Sequence, residues 1–253
     1  NTLASIEDSS RMRANCSGPI DPSEMKAKGL IEGVDYKLRT PNSYLTKKKN
    51  GEWGMIAYAN EINSVMIGYK RGRFTGEIGA SGWCNDNPEK FETLSKISYW
   101  NEKAFATADP ETFGKQKGFA ETFIEKRYRV GGGSFTTLSA NRYHSGQSAR
   151  MSAHVDSGDT EMGLTTMCVF RSGEYDGAFL TFPRYGVAID APDNSVVIAD
   201  SLQIHGVTPI TGKGERFSCV AYCDNRLATL GSRARTPKPI GKYAKPNTLE
   251  EFF

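Results

Sequence analysis

Between residues 136 and 224 the chain breaks into about eight short strand-like runs, each closed by Gly, Pro, Asn or Asp. They fall at 136–143, 150–155, 164–170, 178–182, 186–190, 195–200, 203–209 and 216–223. Strands this brief at near-regular spacing predict a two-sheet jelly roll or barrel.

The flanks differ in texture. Residues 86–135 read as helical support. Asn87-Pro88 opens a run carrying Phe91, Leu94 and Ile97, and Asp109-Pro110-Glu111 opens another with Phe113, Ala120, Phe123 and Ile124 broadly on one face. Gly114 and Gly118 weaken the second helix. Two amphipathic helices covering one side of a sheet is the plain reading. Gly131-Gly132-Gly133 lacks the spacing of a phosphate-binding loop and reads as a flexible turn. Residues 1–85 are irregular and Gly-rich, with a short helix begun by Asp21-Pro22-Ser23-Glu24 and stopped at Gly29, and a strand-like stretch at 53–69. Residues 226–253 hold six Lys or Arg against two Glu, and their prolines make an extended basic tail. The chain is expected to be one catalytic domain of class α+β over residues 1–253.

Composition narrows the classes. With 38% hydrophobic and 11% aromatic residues the chain is too apolar to be disordered. No apolar run approaches the roughly 18 residues that span a bilayer, so no membrane partner is expected. A net charge of +3 disfavours a tail-driven nucleic-acid binder but leaves room for a local basic groove. Five scattered cysteines without a CxxC argue against a disulfide scaffold or structural zinc. Cys219 and Cys223 read as small buried hydrophobes, and the setting as intracellular: nuclear, or cytoplasmic in a prokaryote or virus. The chain begins at Asn1 without a basic-then-apolar leader, as a trimmed or processed piece would.

Histidine is the scarcest of the metal-competent residues, at three. His154-Val155-Asp156 sets two ligand groups at i and i+2, which share a face of an extended segment. His205 follows the run at 195–200. Two imidazoles and one carboxylate make a facial triad that leaves three octahedral positions open, and a donor set without thiolate suits Fe(II) better than structural zinc. Past His205, alternation at 216–223 puts Arg216, Ser218, Val220 and Tyr222 on one face and Phe217, Cys219 and Ala221 on the other. A guanidinium and a hydroxyl on a buried strand are costly unless they meet an anion, either a protein carboxylate or the distal group of a dicarboxylate.

The H-x-D, the distal His and the R-x-S after it resemble the Fe(II)/2-oxoglutarate-dependent dioxygenases, built on a double-stranded β-helix. More narrowly, Asn141-Arg142-Tyr143, the stretch 154–159, Gly163-Leu164-Thr165-Thr166-Met167, the stretch 175–180, and 205–212 running on to Arg216-Phe217-Ser218 resemble the TET/JBP branch. The resemblance implies a cupin-like core over residues 136–225. It also implies Fe(II) on His154, Asp156 and His205, with O2 and 2-oxoglutarate as cosubstrates; ascorbate stands in for the latter in relatives of this branch. Arg216 and Ser218 would anchor the cosubstrate, and Asn141 and Tyr143 would line the same pocket. The implied activity is oxidation of the 5-methyl group of 5-methylcytosine or thymine in DNA. The alternative is the same chemistry on a protein side chain or small molecule. For a duplex substrate the base would be flipped out. Asp159 is then a candidate acceptor for a base amine against a solvated turn residue, and His144 a candidate substrate contact. Lys47, Lys48 and Lys49, with the basic residues at 70–73 and 126–129, are candidate phosphate contacts. A monomer is expected, with protein partners unassigned.

Overall fold

The short alternating runs pair into two facing sheets. The computed structural model describes residues 62–72, 76–144, 151–156 and 158–228, with Gly29 and short elements at 11–13, 19–20, 22–27, 36–38, 45–47, 53–55 and 57–59. The first elements are β1 (Arg11–Arg13), β2 (Pro19–Ile20), α1 (Pro22–Ala27), β3 (Tyr36–Leu38), β4 (Leu45–Lys47), β5 (Trp53–Met55), β6 (Ala57–Ala59), β7 (Ile62–Arg71) and β8 (Ile78–Ala80). Four helices follow: α2 (Gly82–Asp86), α3 (Pro88–Ser95), α4 (Ile97–Ala108) and α5 (Pro110–Phe123). The core strands are β9 (Thr137–His144), β10 (Met151–His154), β11 (Thr165–Ser172), β12 (Tyr175–Gly177), β13 (Leu180–Phe182), β14 (Val187–Ile189), β15 (Ser195–Ala199), β16 (His205–Val207), β17 (Ile210–Gly212) and β18 (Glu215–Tyr222).

The larger sheet runs β1-β7-β9-β18-β11-β15, with β8 on β7, and the smaller runs β10-β16-β13-β14. The chain crosses between the two sheets from β9 to β10, β10 to β11, β14 to β15 and β15 to β16, and the pairs within each are antiparallel. This is the double-stranded β-helix that the spacing and motifs implied. All eight expected strands are present within a few residues of their expected limits. The pattern missed the β12–β17 ribbon, because Gly177 (φ +83) and Gly212 (φ +105) read as turn residues. Each stands where an added Cβ would strike the partner strand.

The larger sheet has two apolar faces. Outward, Val65, Ile67, Leu138, Ala140, Cys168, Phe217 and Cys219 pack under Trp83, Leu94, Ile97 and Phe105 of the helices. Inward, Tyr143, Met167, Val169 and Val220 meet Leu180, Phe182 and Val207 of the smaller sheet. The face assignment for β18 is therefore as expected. Complete burial of side chains such as Phe105 and Leu138 contributes roughly 1.5–3 kcal/mol each.

Both expected helix starts are present. Pro88 and Pro110 stand in the first turns of α3 and α5, and the Asp109 carboxylate accepts from Thr112 N at 3.0 Å. Gly114 and Gly118 lie on the exposed side of α5, where they interrupt no packing. Gly131-Gly132-Gly133 corrects an expectation. It is not a loose turn but one seated on α4: Glu102 Oε1 accepts from both N and Oγ of Ser134 at 2.7 Å. A Cβ on Gly131 would sit 1.8 Å from Ser98 Oγ, and one on Gly132 would sit 1.7 Å from Glu102 Oε2. Burial raises the Glu102 pKa, and its bonds to Ser134 oppose that rise. Gln116 of α5, fully buried, donates to Ser134 O and accepts from Leu164 N, tying this turn to the entrance of β11.

Among the described residues the free cysteines Cys84, Cys168, Cys219 and Cys223 are all buried, and no described helix is long and apolar enough to cross a membrane. Cys16, Lys48, Lys49, Arg73 and residues 229–253 of the basic tail lie outside the described residues. Lys47 ends β4 and His144 ends β9, opposite Glu215.

Candidate metal centre and anion pocket

β10 and β16 pair so that His154 stands opposite His205, with an irregular register between Met151 and His154. Gly206 permits the approach: a Cβ there would lie 2.8 Å from Met151 O and 3.2 Å from Ala153 N. The chain past β10 then carries Asp156 back to the same end, held by its backbone N–H on Ser201 O at 3.0 Å.

The three side chains converge. His154 Nε2 lies 3.6 Å from Asp156 Oδ1, and His205 Nε2 lies 3.6 Å from Asp156 Oδ2. The imidazole centroids are 4.4 Å apart, and one ligand atom from each residue falls within 4.8 Å of the others. His205 Nδ1 is 2.9 Å from Gln203 O, a carbonyl that only accepts. Nδ1 therefore carries the proton and Nε2 the lone pair, the tautomer a metal ligand needs. Burial, then the neighbouring His154, lowers the His205 pKa, keeping that ring neutral below the usual histidine range. His154 and Asp156 are 34% and 41% exposed against 12% for His205, so the cluster opens to solvent on one side. Two nitrogens and one carboxylate with open access fit Fe(II), the donor set read from the sequence.

Deeper in the barrel, Arg216 is 1% exposed. Its Nη2 contacts Met167 Sδ at 3.5 Å and its Cζ lies 5.3 Å from the Tyr143 ring centroid. Nη1 is buried with no hydrogen-bond partner. No carboxylate among the described residues pairs with it, and burial depresses its pKa. Of the two partners foreseen for this guanidinium, a protein carboxylate is not found among the described residues. An uncompensated buried cation costs several kcal/mol, so this guanidinium fits an anionic partner such as the distal carboxylate of 2-oxoglutarate. Ser218, also 1% exposed, shares the inward face two residues on. Asn141 pairs with it across β9 and β18, and its Oδ1 accepts from Ser64 Oγ at 2.6 Å. Asn141, Tyr143, Arg216 and Ser218 thus stand together on two neighbouring strands.

Asp159 is not a solvated turn residue. It is 6% exposed, and its Oδ2 accepts from Thr165 Oγ1 at 2.7 Å and Ser201 Oγ at 2.5 Å. Burial and then the Asp156 charge push its pKa up to about 7, against hydrogen bonds that pull it down. Sequence reasoning passed over Arg171, which faces Arg216 in register from β11. Its charge is met by Asp190 Oδ1 at 2.8 Å, and it stacks 4.3 Å from the Tyr175 centroid. Alternation along β11, which puts Met167, Val169 and Arg171 on one face, was the available signal. The Asp200–Gln203 turn that carries His205 spans the break between the expected strands 195–200 and 203–209, and its hydrogen bonds are visible only in the structure.

The family model Tet_JBP, the oxygenase domain of the 2OGFeDO superfamily, matches residues 85–225, more than half of the chain. The chain is 31% identical over 99 residues to thymine dioxygenase JBP1 of Trypanosoma brucei brucei, covering 37% of this chain and 11% of that protein. It is 25% identical over 206 residues to bifunctional helicase and thymine dioxygenase JBP2 of strain 927/4 GUTat10.1 of the same organism, covering 78% and 17% respectively. The matches therefore span between about a tenth and a sixth of those relatives' lengths. Among solved structures, NgTET1 in complex with 5mC DNA superposes with a TM-score of 0.54 at 11% identity, over 66% of this chain and 62% of that one. That likeness is one of fold.

Proposed function

Because the chain belongs to the Tet/JBP oxygenase-domain family of the 2-oxoglutarate- and iron-dependent dioxygenases, we propose that it oxidises the 5-methyl group of thymine or 5-methylcytosine in DNA. The observation that carries the reading is a buried Arg216 without a carboxylate partner among the described residues, on a sheet facing the one that carries the open His154–Asp156–His205 cluster. Thymine oxidation by the relatives JBP1 and JBP2 supports this substrate class.

His154, Asp156 and His205 would hold Fe(II), which when bound supplies oxygen activation coupled to decarboxylation of 2-oxoglutarate to succinate and carbon dioxide. The protein's own residues orient and select. Arg216 takes the distal carboxylate of the cosubstrate through its free Nη1 face, Ser218 adds a hydroxyl, and the Tyr143 ring shields the pair from water. This favours 2-oxoglutarate over ascorbate, a lactone with no carboxylate to meet the guanidinium. Asn141, anchored by Ser64 and opposite Ser218 on the neighbouring strand, would add an amide N–H donor to the cosubstrate. The methyl group of a stacked base cannot reach a centre inside the barrel, so the nucleotide is flipped out of the duplex. The base contacts proposed are Asp159, whose Oδ2 already accepts from Thr165 and Ser201, and His144, at the end of β9. Lys47, Lys48 and Lys49 neutralise phosphates.

The test incubates the protein with Fe(II) and duplexes containing 5-methylcytosine or thymine, with 2-oxoglutarate or ascorbate, and weighs the digested nucleosides by mass spectrometry. A hydroxymethylated or further oxidised base with 2-oxoglutarate supports the proposal. Product persisting in His154→Ala or Asp156→Ala would sink the ligand assignment. Succinate released with no altered base would favour a protein side chain or small molecule as substrate, a reading that the near-neutral charge of +3 keeps open.

A further inference from the structure

We propose that Gln203 is a positioning residue for the iron ligand His205, and that it ties this ligand to the exposed Tyr185 at the rim of the site. The inference rests on the assignment of His205 to iron. His205 Nδ1–H donates to the main-chain carbonyl of Gln203 at 2.9 Å, so the aim of its Nε2 depends on where that carbonyl points. The carbonyl belongs to a turn clamped from three directions. Gln203 N–H donates to Asp200 O at 3.1 Å, and Gln203 Nε2 donates to Asp200 Oδ2 at 2.8 Å. The other carboxylate oxygen of Asp200 accepts from Leu202 N at 2.9 Å. Tyr185 Oη donates to Gln203 Oε1 at 3.0 Å, so both ends of the Gln203 amide are engaged.

The two partners come from the connections beside different strands. Asp200 follows β15 and Tyr185 lies in the turn between β13 and β14, where Gly186 in the left-handed region (φ +62) closes a 3-10 turn at Pro183–Tyr185. Tyr185 is 57% exposed, yet its hydroxyl is spent on this amide. An exposed aromatic ring whose one polar atom points inward to the mount of a metal ligand is placed to transmit contact at the rim to that ligand. Gln203→Ala removes both side-chain clamps while leaving the carbonyl in place. Tyr185→Phe removes one clamp and leaves the ring.

Cobalt(II) titration of the metal-free protein, followed by its visible spectrum, tests this. Removal of a partner that orients a ligating histidine costs about 10–100-fold in metal affinity; Gln203→Ala is expected to fall in that range, and Tyr185→Phe to weaken binding by a smaller factor. The metal-free melting temperature of both variants should stay near wild type. In the cobalt-loaded protein, the shifted proton signal of His205 Nδ1–H should be sharp in wild type and broadened by solvent exchange in Gln203→Ala. Wild-type affinity in both variants, with an unchanged proton signal, would overturn the proposal. If Gln203→Ala does not fold, wild-type affinity in Tyr185→Phe suffices to overturn it. Wild-type protein that binds no cobalt would instead remove the iron assignment beneath it.

Discussion

Arg216 carries a charge that no carboxylate among the described residues neutralises, and that has a consequence for stability as well as for binding. A structural arginine, once removed, leaves its carboxylate stranded and destabilises the fold by about 3–5 kcal/mol. Arg216 has no such carboxylate among the described residues. Arg216→Met should therefore leave the melting temperature of the metal-free protein unchanged or higher, while isothermal titration with 2-oxoglutarate shows binding lost. A fall of several degrees would mean that the guanidinium is paired within the protein. Asp159 gives a second residue-level prediction. Its folded pKa of about 7 lies above the 3.8 of an exposed carboxyl, so between those values the folded form holds a proton that the unfolded chain has released. Stability due to this group is present below about pH 4 and is lost as pH rises towards 7, on the order of 4 kcal/mol in all. Asp159→Asn keeps an acceptor for Thr165 and Ser201 and removes the titration. Thermal melts of the metal-free variant should fall less between pH 5 and pH 8 than those of wild type; parallel profiles would refute the assignment. The two residues also differ in how far sequence revealed them. Arg216 was legible because strand alternation is local and put it on the inward face. Asp159 looked like a turn residue because partners of its buried carboxylate and backbone, Ser201 at 42 positions and Asp224 at 65, are distant in sequence, which no local pattern reports.

Elements defined by alternation or by Pro-led helix starts were the legible ones, since both signals are local and both are strong. The β12–β17 ribbon was not, and glycine is the reason. Gly177 sits at φ +83 with Pro209 O 2.0 Å from where its Cβ would be, so it permits pairing at a place where its residue type suggests an interruption. Gly177→Ala adds left-handed strain to a clash with backbone, and neither is relieved by a rotamer change. It should cost at least about 2 kcal/mol, seen as a reduced midpoint in urea with an unchanged slope. A midpoint equal to wild type would show that the ribbon contributes nothing to the fold. The glycine turn at 131–133 teaches the same lesson. Three glycines in a row suggest mobility, but their missing side chains make room for Ser98 and Glu102 of α4. Close approach, not freedom, is what these positions need.

For the molecule as a whole, the net charge of +3 describes no single surface. The basic residues at 47–49 and at 226–253 are segregated along the chain, so a near-neutral total is compatible with a polyanionic partner. Log affinity for duplex DNA should fall linearly with log salt, and replacing Lys47, Lys48 and Lys49 by Ala should make that slope shallower. Fluorescence anisotropy across a salt series reads both; a slope identical to wild type would remove these three from the interface. The catalytic architecture does not depend on that outcome. It depends on β10 and β16 delivering His154, Asp156 and His205 to one point, while β18 holds Arg216 deeper in the barrel. The most direct measurement is anaerobic titration of the purified protein with Fe(II) and then 2-oxoglutarate, followed by metal analysis and the visible charge-transfer band of the ternary complex. One iron and one 2-oxoglutarate per chain are predicted for wild type. Asp156→Ala should lose the iron and the band together, and Arg216→Met should keep the iron and lose the band. Iron bound equally well by Asp156→Ala, or a full band in Arg216→Met, would contradict the account.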